Sequence, residues 1–537
     1  MRHVKPAIVS VFVLFVALAF ATAIPTVEAA VGDCLADPYP TVDVDWFNNR
    51  GIDQPMFWIN QPSSQFFNGF TYVVWQAGDG FVPCIQRYNH TTNTWSDPVQ
   101  VAASNPIAGD GHGAPAMIIT PSGKIHVAYG SHLTAQKYVR GDVSNFENGW
   151  VAMPDIAPSA TYPHWVYAGS PARLFLFYRS GDACGFWSNK ASANDGNTFE
   201  PAGVGGAVLQ FPAYIGGLTA GADGLGIYFT FVALDPLTCA TDTVNRTLGV
   251  YAVYYLPDNG NQYWCKASPV DLAQGFSLIT IPTACLVESP ITNANFGMVR
   301  KLGAGIADDT VFVLYRTSPT NGSVGTWANR WARFTGTVWS VETVSFGDHY
   351  QDYSDFRMIT STSAEAYLLA NATDATGSKE GGIVNRWTWN GVTWTNVGTI
   401  LTPSQSNGRL LSAPMVPLNY NVNATLVFDE RIISLTDDSA KMYLWGNGSF
   451  RGLEGIPLVC VLNSAIPGLS LTSLFVLFIG FGLLLAFVVA LFTFGKGNLG
   501  VAKGLSKGTA ITTVVSVVIA VIVIAIVSGA VVSNLSC

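Results

Sequence analysis

Charged residues are scarce in this chain of 537 residues, where Asp, Glu, Lys and Arg together make up 12%, about half the usual share. Basic residues are fewer than acidic ones, with 27 Lys and Arg against 35 Asp and Glu, which gives a net charge of −8. This balance excludes a strongly basic nucleic-acid-binding protein. It does not indicate disorder, because 49% hydrophobic and 12% aromatic residues supply a large core.

Paired metal-binding cysteines are also missing, since none of the eight cysteines forms a CxxC motif and a zinc ribbon therefore has no support. Outside the cell, cysteines form disulfides by default. Cys34 and Cys460 bracket the globular region, and a ring-shaped fold brings its ends together, so we predict a Cys34–Cys460 bridge. Cys239, Cys265 and Cys285 supply either another bridge or, with a histidine, ligands for a structural zinc ion. No other cofactor is predicted.

The amino terminus has the three parts of a signal peptide. Arg2 and Lys5 precede an uncharged apolar run over residues 7–23, and small residues typical of a cleavage site follow it. We therefore predict that residues 1–30 are a signal peptide, with an uncleaved anchor helix as the alternative.

The carboxyl terminus lacks charge from residue 455 to 495 and carries apolar runs at 469–494 and 509–532, each long enough to span a bilayer. The loop between the runs has lysines and no acid, so the positive-inside rule places it in the cytoplasm. We predict a transmembrane helical hairpin over 463–537 and an extracellular domain over 31–462, at a cell surface or envelope. The loop lysines are Lys496, Lys503 and Lys507. Glycosylation sequons that fit an exposed surface begin at Asn89, Asn245, Asn321, Asn371, Asn423 and Asn447.

The middle of the chain has almost no helical periodicity and instead repeats a short apolar strand. The repeat has a spacing of roughly 50 to 60 residues, near the period of propeller blades, whereas a β-sandwich would show no such period. We predict an all-β, seven-bladed β-propeller, with six blades as the alternative because residues 208–267 are irregular. The seven strands are 70–75, 124–129, 174–178, 226–231, 311–315, 366–369 and 425–428.

Histidine is rare, yet three of the seven histidines lie between His112 and His132. These two residues flank the first strands of one predicted blade, and Tyr162 and Arg179 occupy the next blade. An arginine neutralises a carboxylate with a planar fork, and histidine and tyrosine can serve as base and acid. Alternatives remain open, because the histidines could bond backbone carbonyls, Tyr162 could pack in a turn, and Arg179 could pair with Asp182.

Two motifs resemble a known family. The segment 110–132, which begins Asp-Gly-His-Gly-Ala-Pro, resembles the first signature of the BNR-4 repeat propellers. Thr-Tyr-Pro at 161–163, followed by Leu-Phe-Tyr-Arg-Ser-Gly at 176–181, resembles their second. That family includes sialidase-like hydrolases, uncharacterised surface proteins and ulvan-type polysaccharide lyases. In the lyases the matching residues form the active site, so the resemblance implies a catalytic role for His112, His132, Tyr162 and Arg179.

Two classes of function follow from these observations. The first is a membrane-anchored extracellular lyase that cleaves uronate-containing polysaccharide by β-elimination, with Arg179 neutralising the carboxylate and Tyr162 and a histidine serving as base and acid. Hydrolysis is less supported, because no paired carboxylates stand out. The second is a non-catalytic glycan-binding, adhesion or structural protein of a cell or viral envelope. Either class predicts a glycan and a membrane as partners, and no nucleic acid.

Overall fold

A computed structural model describes residues 34–454 of one compact unit, Val31–Glu454. The predicted signal peptide, Cys460 and the predicted hairpin lie outside the described residues. Among the residues it describes, no helix is long and apolar enough to cross a membrane. Within 34–454 the structure does not describe 37–39, 41, 53, 79, 104, 108–109, 182–183, 202–206, 222–223, 235–246, 258–261, 266–267, 272–284, 289–309, 318–326, 335–337, 348–353, 371–381, 403–409 and 432–438.

The fold is all-β and propeller-like, and the described residues contain no α-helix. Two 3-10 helices are described, Gly111–Gly113 and Val143–Asn145. The strands are β1 Trp46–Gly51, β2 Ser64–Phe67, β3 Phe70–Ala77, β4 Val82–Asn89, β5 Thr94–Trp95, β6 Val99–Gln100, β7 Ala116–Ile119, β8 Lys124–Tyr129, β9 His132–Thr134, β10 Lys137–Asp142, β11 Val151–Met153, β12 Ala160–Ala168, β13 Arg173–Ser180, β14 Phe186–Ser192, β15 Glu200–Pro201, β16 Ala207–Leu209, β17 Ala213–Ala220, β18 Ile227–Leu234, β19 Thr247–Leu256, β20 Gln262–Cys265, β21 Ser268–Asp271, β22 Leu286–Glu288, β23 Phe312–Thr317, β24 Trp327–Phe334, β25 Trp339–Gly347, β26 Ser354–Thr360, β27 Ser363–Ala370, β28 Ile383–Trp389, β29 Trp394–Leu401, β30 Leu410–Met415, β31 Leu426–Arg431, β32 Ala440–Gly446 and β33 Ser449–Phe450.

These strands form antiparallel sheets from neighbours in the chain. One sheet has the order β11-β10-β8-β7, and the next joins β9 to β12–β16. Then come β17–β22, β23–β25 and β26–β29, while the remaining strands share a sheet of ten. All seven predicted strands are present, as β3, β8, β13, β18, β23, β27 and β31. The number of blades stays a prediction.

Apolar side chains fill the spaces between consecutive sheets. On β23, Val313 and Tyr315 pack toward the sheet of β18 and β19, whereas Phe312 and Leu314 pack toward the sheet of β27. Successive side chains of a strand point to opposite faces, so a strand covered on both faces needs a continuous apolar run. This is why the predicted strands read as unbroken apolar segments rather than as an alternation.

Cys34 is bonded to Cys84 of β4, with Cα atoms 5.7 Å apart, so the predicted Cys34–Cys460 bridge is wrong. The physical reason is that Asn48 of β1 donates a hydrogen bond to the Cys34 carbonyl at 2.9 Å, which holds Cys34 beside its own sheet. The two ends of the described chain meet instead through strand pairing, with Asn48 opposite Met442 of β32. Cys285 is disulfide-bonded and is therefore not available as the thiolate ligand of a zinc ion.

Candidate active site

The site begins at the 3-10 helix Gly111–Gly113, directly before β7. Asp110 caps this turn, because its side chain accepts a hydrogen bond from the backbone N–H of His112 at 2.9 Å. Such a cap satisfies a donor that the turn leaves unpaired. Gly113 has no space for a side chain, since a Cβ there would lie 2.7 Å from the Cγ1 atom of Ile107. The local sequence thus fixes the position of His112.

His112 and His132 stack face to face, with ring centroids 3.9 Å apart and planes inclined by 10°. Asp110 joins them, since one carboxylate oxygen bonds Nδ1 of His112 and the other bonds Nδ1 of His132. A nitrogen that faces an ionised carboxylate carries the proton, which leaves Nε2 of each ring as an acceptor. The two side chains are 29% and 32% exposed, so a ligand can reach them.

Asp110 stays ionised at neutral pH. Burial by itself raises the pKa of Asp110, but the hydrogen bonds from His112 and His132 outweigh burial and hold the pKa well below its ordinary value. A fixed negative charge at this position stabilises the positive charge that an imidazole gains when Nε2 takes up a proton. The arrangement therefore suits proton abstraction.

Tyr162 lies in a bulge of β12. The pairing with β13 shifts register between Thr161 and His164, and Tyr162 has a φ of +60°, which is uncommon for a bulky residue. Bulges of this kind redirect a side chain, and the Tyr162 ring lies 5.4 Å from the ring of His112. Burial raises the pKa of Tyr162 well above 10, and Tyr214 raises it further, against the opposing effect of Arg179. The phenol therefore stays protonated and can donate.

Arg179 of β13 lies against the ring of Tyr162, with Cζ 4.5 Å from the ring centroid. The side chain is 3% exposed, and Nη1 donates a long hydrogen bond of 3.4 Å to the hydroxyl of Tyr214. Within the described residues no carboxylate pairs with Arg179, and its buried Nε has no acceptor. The alternative partner, Asp182, lies outside the described residues. Among the described residues the guanidinium thus lacks a counter-charge, which a buried cation requires to offset its desolvation.

The structure thus brings His112, His132, Tyr162 and Arg179 together. His112 precedes β7 of one sheet, whereas His132 of β9 lies in the next sheet with Tyr162 of β12 and Arg179 of β13, not in the blade of His112 as predicted. Their catalytic role stays a prediction.

Reasoning from the sequence missed three neighbours of these residues. Asp110 stood in the first motif, and its spacing of two residues from a histidine was a usable signal. The other two, Phe57 in the loop between β1 and β2 and Tyr214 on β17, carry no local signal.

Phe57 and Tyr214 complete the walls of the site. The Phe57 ring lies 5.0 Å from the ring of His112 and stacks 6.1 Å from that of Tyr162. On the other side, Tyr214 of β17 lies 5.7 Å from Tyr162. Apolar walls lower the local dielectric constant and strengthen each electrostatic interaction inside the site.

A cavity of about 500 Å³ is lined in part by residues of β2, β7, β12 and β17, and its lining includes none of the four predicted residues. Its lining is mostly apolar and includes His164, which is fully buried. The histidine cluster is the better candidate for proton transfer, because its titratable groups are partly exposed and a ligand can reach them.

Asp110, His112 and His132 also have donor atoms within 4.8 Å of one another, which is close enough to hold a metal ion. Both oxygens of Asp110, however, already accept hydrogen bonds from the two Nδ1 atoms. A metal at this position would have to displace those protons. The geometry therefore favours an acid–base assembly over a metal centre.

The profile of the BNR repeat-containing family matches residues 70–346, more than half of the chain. The chain belongs to this family. The resemblance inferred from the two motifs is therefore confirmed, and all four candidate residues of this family member lie inside the matched range.

Curated relatives of this BNR-repeat chain are ulvan lyases. The ulvan lyase of Nonlabens ulvanivorans is 27% identical over 179 residues, which are 29% of this chain and 38% of that lyase. The ulvan lyase of Alteromonas sp. (strain LOR) is 28% identical over 177 residues, 29% of this chain and 36% of that lyase. The alignments therefore span less than two fifths of either relative.

A solved ulvan lyase, bound to a GlcA(1-4)Rha3S ligand, superposes with a TM-score of 0.61 and 18% identity. The superposition covers 76% of this chain and 97% of that one. At this identity the likeness establishes the fold alone.

Proposed function

We propose that this protein is a polysaccharide lyase that cleaves an acidic, uronate-containing polysaccharide by β-elimination. The observation that carries the proposal is the buried guanidinium of Arg179, which has no described counter-charge and lies against Tyr162 beside the histidine pair. A substrate carboxylate would complete this charge. The similarity to two ulvan lyases adds support.

In β-elimination a base removes the proton from the carbon next to the carboxylate. The electrons of that C–H bond form a carbon–carbon double bond, the bond to the glycosidic oxygen breaks, and that oxygen takes a proton from an acid. In our assignment Nε2 of His112 is the base, with Asp110 stabilising the imidazolium, and His132 assists from the stack. Tyr162, whose pKa is raised by burial, is the acid. Arg179 stabilises the carboxylate as it gains enolate character.

The full-length protein should be incubated with a panel of polysaccharides that differ in uronate content. We expect an unsaturated product with ultraviolet absorbance from uronate-containing polymers and none from neutral ones. New reducing ends without absorbance would indicate hydrolysis and overturn the proposal. Binding without any cleavage would favour the glycan-binding alternative.

We also propose that this lyase is exported and held at a membrane, with residues 1–30 as a signal peptide and 463–537 as a helical hairpin. The support is the charge and hydropathy pattern of the two termini. Protease added to intact cells should digest the domain at 31–462 and leave the loop around Lys503 protected. Protection of the whole domain would contradict this topology.

We further infer seven blades. The support is that the sheet of ten strands has a weak joint, where β1 meets β3 through the single pair Gly51 and Ala77. Dividing the sheet there gives one blade from β2–β6 and another from β30–β33 with β1 as its outer strand. Pairing of the first strand with the last blade would close the ring. Deleting β1 should therefore lower the melting temperature sharply; an unchanged value would contradict closure by this strand.

A further inference from the structure

We propose that Asn60 is a positioning residue that holds the His112 turn in register with Tyr162, an inference that rests on the function proposed above. Asn60 lies between β1 and β2, 52 residues before His112 in the chain. Its side chain is fully buried. It touches none of the atoms that would react, so its effect would pass through the backbone of the turn.

The amide of Asn60 spans the turn. Its Nδ2 donates to the carbonyl of His112 at 2.9 Å and to the carbonyl of Ala114 at 2.7 Å. Two carbonyl acceptors require two N–H groups, and the NH2 of the Asn60 amide supplies both from one atom. The carbonyl between them, that of Gly113, accepts from Asn105 and from the backbone N–H of Gly130. These side chains thus hold the turn from outside, in addition to the two backbone hydrogen bonds of the 3-10 helix itself.

Asn60 also reaches the other wall of the site. Its backbone N–H donates to the carbonyl of Phe57 at 2.9 Å, and the Phe57 ring contacts both His112 and Tyr162. One residue therefore fixes the histidine turn and the aromatic wall together. Its Oδ1 is buried without a described partner.

A matched control is available in Gln65 of β2. Its buried amide likewise clamps the backbone of the neighbouring sheet, donating to the Ile119 carbonyl at 2.9 Å and accepting from the Ile119 N–H at 2.7 Å. Ile119 is the last residue of β7, whereas the His112 turn lies before the first residue of β7. Gln65→Leu therefore removes a comparable contact between the same two sheets away from the histidines.

The test compares Asn60→Ser, Asn60→Asp and Gln65→Leu in the full-length protein. A misplacement of about 1 Å can cost on the order of 10²-fold in rate. We therefore expect kcat to fall roughly 10- to 100-fold in both Asn60 variants, with KM nearly unchanged and with little loss in Gln65→Leu. The second readout does not need activity. The downfield proton resonances of Nδ1–H in His112 and His132, assigned with His112→Gln and His132→Gln, should shift or broaden in the Asn60 variants only.

If the Asn60 variants leave these resonances unchanged, or if Gln65→Leu disturbs them equally, the proposal is overturned. Should Asn60→Asp fail to fold, Asn60→Ser decides, since it removes donors without adding a charge. A wild-type protein without lyase activity would overturn the proposed function. The resonances would still decide whether Asn60 positions the histidine turn.

Discussion

Replacing Arg179 by alanine tests whether a buried guanidinium neutralises the substrate's carboxylate. The side chain is 3% exposed and has no described counter-charge, so a bound carboxylate would meet the cation in a site with little water. Removing a comparable electrostatic stabiliser costs about 10²–10³ in kcat, or about 2.7–4 kcal/mol. Arg179→Lys should recover part of this, because lysine keeps the charge and loses the planar fork.

The assay uses one polysaccharide in two forms, with free uronates and with their methyl esters. The ester carries no charge. The kcat of Arg179→Ala should therefore fall by about 10²–10³ on the free uronate and little on the methyl ester. The variant also loses its contact with Tyr162, about 2 kcal/mol for a desolvated cation–π pair, so thermal unfolding is measured separately. Arg173→Ala is the control, since Arg173 lies on the same strand with Cζ 5.1 Å from the Phe175 ring. Equal losses on acid and ester would refute the reasoning.

Further predictions concern the histidine cluster and the packing around it. Asp110→Asn should lower kcat by about 10²–10⁴, measured in initial rates, because an NH2 donor replaces one of the two accepting oxygens and the negative charge is lost. Dialysis against EDTA should leave the initial rate unchanged, since both oxygens of Asp110 are already engaged; loss restored by a metal would reverse the assignment. Gly196→Ala should lower the free energy of unfolding in urea by about 2–4 kcal/mol, because φ is +76° and the Cβ would lie 2.1 Å from the Tyr138 hydroxyl oxygen. Burial lowers the pKa of His90 to about 4. The folded state therefore resists protonation, and its stability should fall as pH drops from about 6.5 to about 4. His90→Gln should flatten this part of the melting-temperature profile.

The strands could be predicted because a strand buried on both faces has a continuous apolar sequence. A sheet packed on both faces demands apolar residues at every position, and the segment around Phe312 and Leu314 shows this as an unbroken run. The spacing of roughly 50 to 60 residues arises because each successive group of strands contains one such buried strand. Sheet boundaries were harder to predict, because β1 belongs by pairing to β32, at the opposite end of the described chain. No sequence feature near Asn48 predicts that β1 pairs with β32.

The disulfide prediction failed for a related reason. It assumed that the covalent bond closes the ring, and so paired Cys34 with the distant Cys460. In the structure hydrogen bonds between β1 and β32 bring the ends together, and Cys34 bonds Cys84 within the first group of strands. Cysteine positions alone restrict which pairs can form, but the geometry that selects one pair depends on the path of the chain before β1.

The candidate site divides into residues that motifs reveal and residues that packing supplies. His112 and Arg179 lie in recognisable motifs because the roles proposed for them require an imidazole and a guanidinium. Phe57 and Asn60 of the loop between β1 and β2 and Tyr214 of β17 contribute walls and backbone support, and in packed sheets such neighbours come from distant parts of the chain. A family member could therefore keep both motifs and still lose the geometry if the segment between β1 and β2 changed. Retention of the four motif residues is thus necessary for the proposed chemistry but does not suffice, and the amide at position 60 is the feature to compare first.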